Sequence, residues 1–89
     1  MGLRQMFRFE ASTPSEVAEF LRGFSSQVDV EDRGEFFVFH PRSGPDFAFD
    51  CALVPGGILS ERSGEYFYFL GVFLEALTGH FGKVEVEDA

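Results

Sequence analysis

Five side chains in this sequence have the chemistry for nucleophilic or acid–base work: Cys51, His40, His80, Asp46 and Asp50. Nucleophilic catalysis needs a Ser or Cys beside a base that is itself held by a third group. Cys51 alternates with Phe47, Phe49 and Leu53, which puts it on the apolar side of a strand as a small buried hydrophobe with a raised thiol pKa. His40 precedes Pro41 at a strand end, and no G-x-S-x-G, S-x-x-K or papain-like context surrounds any Ser or Cys. Asp46 and Asp50 share a strand face but stand about 13 Å apart at the usual strand rise, too far to work as paired carboxylates. One Cys and two separated His give no zinc spacing, and no D-x-D-x-D-G loop offers calcium a site. Gly56-Gly57 reads as a tight turn rather than an anion cradle, since no lysine accompanies it and Glu61 and Glu65 would repel a phosphate. The expectation is a protein without enzymatic activity, metal or cofactor. Asp50 keeps one point of interest: Ala48 and Ala52 leave it room to meet a neighbour or a ligand.

These residues sit in a chain of 89 amino acids with 7 Lys and Arg against 15 Asp and Glu, a formal charge of −8. That length predicts a single globular domain over residues 1–89. Hydrophobic residues make up 45% of it, including 13 Phe, so a dense core is available without disulfides. The acid excess argues against nucleic acid and against anionic membrane surfaces, both of which recruit Lys and Arg. The N-terminal residues resemble neither a secretory signal nor a myristoylation site, and the expected location is the cytoplasm.

Local patterns predict the elements. Residues 3–10 alternate as a strand. Thr13-Pro14-Ser15-Glu16 then has the form of an N-cap, a proline at the first helical position and a Glu placed to close a capping box. Val17, Phe20, Leu21 and Phe24 follow at helical spacing, giving a helix over about 14–24. From Gln27 the period becomes two, with Val28 and Val30 opposite Asp29 and Glu31, and Asp32-Arg33-Gly34 turns the chain into a hairpin. Residues 35–40 are apolar on both sides and read as an interior strand, which the Pro41–Pro45 segment ends. A fourth strand covers 46–54. Residues 58–62 read as a loop after Pro55-Gly56-Gly57, leading to a second helix capped by Ser63 and running to about Thr78, with Gly79 at its end. Its stretch from Tyr66 to Leu74 is apolar all round and calls for cover on more than one side. Residues 83–88 close the chain as a strand, with Val84 and Val86 inward and Glu85 and Glu87 outward.

The order β-α-β-β-β-α-β predicts an α+β two-layer sandwich with both helices on one face of a mixed or antiparallel sheet. Such a sheet leaves its second face bare. Whichever of the pairs Phe36/Val38 and Phe37/Phe39 points away from the helices would be exposed, flanked by Asp29 and Glu31 and by Glu85 and Glu87. An aromatic centre with an acidic rim suits a basic protein partner. The residues expected to make that contact are Asp29, Glu31, Phe36, Val38, Glu85 and Glu87. In size and charge the chain resembles small toxin-neutralising immunity proteins and nucleic-acid-mimicking inhibitors, though no motif in it belongs to either. Two other readings stand beside this one: a homodimer whose patch is its own interface, and a small-molecule binder using Asp50, His40 and the 55–63 segment.

Overall fold

The structure, a computed structural model, describes residues 3–24, 28–44 and 46–89; Gln27 and Pro45, placed above in a strand and a chain break, lie outside these. Eight elements follow in order: β1 (Leu3–Arg8), α1 (Pro14–Gly23), β2 (Val28–Asp32), β3 (Phe36–Pro41), β4 (Phe47–Val54), β5 (Gly57–Gly64), α2 (Phe67–Phe81) and β6 (Glu85–Asp88). All strands lie antiparallel in one open sheet of order β2-β3-β4-β5-β1-β6. Each helix spans a jump in that order. α1 carries the chain from β1 to the edge strand β2, and α2 carries it from β5 to the opposite edge, β6.

The expected α+β sandwich is the fold, and the structure adds one strand to it. Residues 57–64, read above as loop and helix cap, form β5, paired with β4 on one side and β1 on the other. Its alternation is disguised because two of its core-side residues are polar: Ser60 and Arg62 are buried beside Ile58, while Leu59, Glu61 and Ser63 face the other way. Pro55-Gly56 makes the hairpin, with Gly56 at φ 85° as the third residue of a type II turn requires. Ser63 therefore caps nothing, and α2 starts after Tyr66 without a side-chain cap. It also runs past Gly79 to Phe81, ending at Gly82 with φ 85°.

α1 begins as its residues dictate. Thr13 Oγ1 accepts from the Glu16 backbone N–H at 3.2 Å, and the Glu16 carboxylate reaches back to the Ser12 N–H at 2.9 Å. Removing the cap with Thr13→Ala is expected to cost about 1 kcal/mol, measured by urea denaturation, with an unchanged m-value.

Both helices cover the same face of the sheet. Phe24 of the α1 C-cap, Phe69 and Phe73 of α2, and Phe39 of β3 all lie within ring-contact distance of one another. Phe7, Phe37, Phe39, Phe49 and Phe73 are almost wholly buried. The full cover expected for α2 is only partly present. As the outer layer of a two-layer fold it has the sheet beneath and Phe20 of α1 at its flank, while in its first turn Phe67 and Tyr68 are 73% and 72% exposed.

Candidate functional site: the uncovered sheet face

Directly paired residues of neighbouring strands share a face, so the register maps the side that no helix covers. Phe37 and Phe39 belong to the core, which leaves Phe36 and Val38 on the open side. One row runs Glu31, Val38, Asp50, Glu61, Arg4 from β2 to β1. The row beside it runs Phe36, Ala52, Leu59, Met6, Glu87 from β3 to β6. A charged band thus lies against an apolar band, about 7 Å apart at the strand rise. Asp29 and Glu85 stand on the same face at the two edges, opposite His40 and Arg8. All six residues singled out in the sequence fall on this face, with Asp29 and Glu31 on one edge strand and Glu85 and Glu87 on the other.

The edge acids are held by cations of the chain itself. Arg33 and His40 both bond Glu31, His40 Nε2 at 2.8 Å, and this pairing holds the Glu31 carboxyl below its usual range, the Arg33 hydrogen bond contributing most. Arg42 bonds Asp29 at 3.0 Å and Arg8 bonds Glu87 at 3.0 Å. Lys83 stands 3.8 Å from Glu85. These pairs are exposed and contribute little to stability. They do organise the rim, because each fixes the direction of an otherwise free side chain.

The centre differs. Asp50 sits between Ala48 and Ala52 and directly opposite Glu61, and among the described residues it has neither a hydrogen bond nor an ion pair, whereas Glu61 is bonded by Arg4. Partial burial, and then the neighbouring Glu61 charge, push the Asp50 carboxyl above its ordinary range. Two shallow hollows of about 370 Å³ each meet at this pair. One extends over Ala48 and Ser63 toward Leu3, the other over Ala52 and Leu59 toward Phe36. Among the described residues the face therefore offers in Asp50 a half-buried acid without an ion pair, with a hollow of mixed polar and apolar lining on either side of it.

Cys51 and His40, two of the candidates for nucleophilic chemistry, lie on opposite sides of the sheet. Cys51 is fully buried on the core side, its thiol pushed up by that burial, while His40 faces the open side and is taken by Glu31. No three His, Cys, Asp or Glu of the described residues stand together as metal ligands. Gly56-Gly57 serves the β4–β5 hairpin, remote in the chain from the start of α2. No helix of the described residues is long and apolar enough to cross a membrane. Comparison with known families, curated proteins and solved structures finds no match for this chain.

Sequence reasoning missed Ala52, Leu59, Glu61 and Arg4 as parts of this face. The first signal for them was Pro55-Gly56-Gly57 between Val54 and Ile58, a turn with apolar residues on both sides that suits a hairpin. Once β5 is placed, its parity sets Glu61 opposite Asp50.

Proposed function

We propose that the protein is a non-enzymatic interaction domain that receives a basic protein partner on its uncovered sheet face. Asp50 carries this reading: a carboxylate with neither a hydrogen bond nor an ion pair among the described residues, beside a second carboxylate, with Ala48 and Ala52 on either side of it along the strand. An Arg or Lys of the partner would lay its aliphatic stem along Ala48 and Ala52 and bring its charge to Asp50 and Glu61. Phe36, Ala52 and Leu59 of the apolar row supply contact area beside it, and Val38 extends that area within the charged row. Glu31, Asp29, Glu85 and Glu87 form the rim, and the net charge of −8 speeds capture of a cationic surface. A second copy of the chain is a poor occupant, since this face would bring acid against acid. We assign the interaction to the cytoplasm, where a single unpaired thiol is ordinary.

Hexa-arginine peptide is a defined probe of this face, followed by fluorescence anisotropy at low salt. Asp50→Asn is expected to weaken its binding about 10-fold, the scale of one charge-assisted contact. Glu19→Gln, on α1, is expected to change it less than about twofold. Equal losses in the two variants would reduce the attraction to overall charge and contradict the reading. So would light scattering that shows a dimer dissolved by Asp50→Asn, which would give the face to a second copy.

A further inference from the structure

The outer side of α2 differs from the rest of this acidic surface. Phe69, Phe73 and Leu77 form its core side, and the side turned away from them, at spacings of three and four residues, carries Tyr68, Gly71, Glu75, Thr78 and Gly79, all exposed. Between Glu65 and Lys83 the chain has one carboxylate, Glu75, of the 15 it carries. Phe67 and Tyr68, in the first turn, are 73% and 72% exposed, more than any other large hydrophobic residue described. A helix that faces water ordinarily places charge there, as α1 does with Glu19 and Arg22.

Two polar groups of this side are matched in kind but held apart within one chain. Tyr68 and Glu75 stand seven residues apart, almost two full turns, so they lie on one line along the helix about 10 Å from each other. Among the described residues neither the Tyr68 hydroxyl nor the Glu75 carboxylate has a hydrogen bond or ion pair. Their midpoint is Gly71-Val72. If a second copy lays its α2 antiparallel across this midpoint on a two-fold axis, Tyr68 of each copy comes beside the partner subunit's Glu75, and the same complementary contact is made twice. The hydroxyl then donates to the only charge on the face, and Gly71, lacking a side chain, lets the two helices approach.

We propose that two copies of the chain pair through the outer sides of their α2 helices, Tyr68 of each against the partner subunit's Glu75. Charge selects this face for a second copy: the open sheet face and both sheet edges would set acid against acid, whereas here one acid meets a donor. The area fits a reversible pair. At about 150 Å² of exposed surface each, Phe67 and Tyr68 of both copies supply on the order of 600 Å², half of what the smallest specific interfaces bury, and Gly71, Val72 and Thr78 add to it. Pairing leaves both open sheet faces free, so it does not depend on the basic-partner reading.

Sedimentation equilibrium of the intact protein over a dilution series reads the pairing. The mass is expected to rise with concentration to twice that of the monomer, and raised sodium chloride to strengthen the pair, because it screens the repulsion between two chains of charge −8. Tyr68→Glu sets carboxylate against carboxylate twice and is expected to weaken pairing about 100-fold. Tyr68→Glu with Glu75→Lys replaces each of those contacts by an opposite pair and is expected to restore the dimer. Tyr68→Glu with Glu35→Lys has the same net charge, but its lysine lies in the β2–β3 turn, and it is expected to remain monomeric. Should Tyr68→Glu not melt cooperatively, amide shifts of the unsubstituted protein on dilution decide alone, expected at Tyr68, Gly71, Val72 and Glu75. A monomer at every concentration up to about 1 mM, a dimer that salt loosens, a dimer that a folded Tyr68→Glu protein retains, equal recovery in the two double variants, or dilution shifts away from α2 would overturn the proposal.

Discussion

Phe73→Ala is expected to destabilise the protein by about 3–5 kcal/mol, enough to leave much of the population unfolded at 25 °C. Phe73 has no exposed surface. Its ring lies within 6.2 Å of Phe7, Phe20, Phe24, Phe39, Phe49 and Phe69, so it joins both helices to β1, β3 and β4. Truncation opens a void bounded by six large rings, three of them held by strands and three by the helical layer, and rings held from both layers collapse poorly into a gap. Urea denaturation checks this. Phe67→Ala, in the same helix but 73% exposed, is expected to cost far less. Equal losses would mean that the aromatic cluster is not the core that joins the layers.

Gly57→Ala is expected to be nearly as damaging, at about 3 kcal/mol, for a reason of backbone rather than core. A Cβ at position 57 would stand 1.9 Å from the Phe7 carbonyl oxygen and 3.2 Å from the Arg8 Cα. Neither atom belongs to a flexible side chain, so β1 and β5 must separate where Arg8 pairs with Gly57. The exposed Gly71, inside α2, gives the opposite expectation. A Cβ there meets nothing within 4 Å, and Gly71→Ala should stabilise by about 0.5–1 kcal/mol through helix propensity alone. Melting temperatures of the two variants should shift in opposite directions.

The parts of this fold that were legible in the sequence were those written in local code. Thr13-Pro14-Ser15-Glu16 states a helix start because Thr13 and Glu16 each meet a different unsatisfied N–H and Pro14 fixes a helical dihedral. Asp32-Arg33-Gly34 states a turn for a similar reason: the Asp32 carboxylate accepts from the Gly34 N–H at 2.8 Å. β5 was hidden because period-2 reading takes polarity as a sign of exposure, and Ser60 and Arg62 break that rule on the core side. Arg62 reads in sequence as a surface residue; only three rings and an amide gathered from β1, β4 and the start of α2 bury it.

The open face was legible in parity but not in place. Alternation assigns Asp29 and Glu31 to one side of their strand, and Glu85 and Glu87 to one side of theirs. It carries no information on which strands lie between them, and four strands do. Nor can alternation choose between Phe36/Val38 and Phe37/Phe39, since both pairs are apolar. Packing chose Phe37 and Phe39 for the core, which placed Phe36 and Val38 beside Asp50. The juxtaposition of Asp50 with Glu61 required β5, and with it the long-range pairing that no local pattern specifies.

A cationic partner on the uncovered face, held through Asp50, is the function we propose. Mapping backbone amide shifts while hexa-arginine peptide is titrated into the protein tests it most directly. Saturable shifts are expected, concentrated at Val38, Ala48, Asp50, Ala52 and Glu61 and lost in Asp50→Asn. Shifts centred instead on the acids of the helical layer, Glu16, Glu19 and Glu75, or spread evenly over every acidic residue, would contradict it.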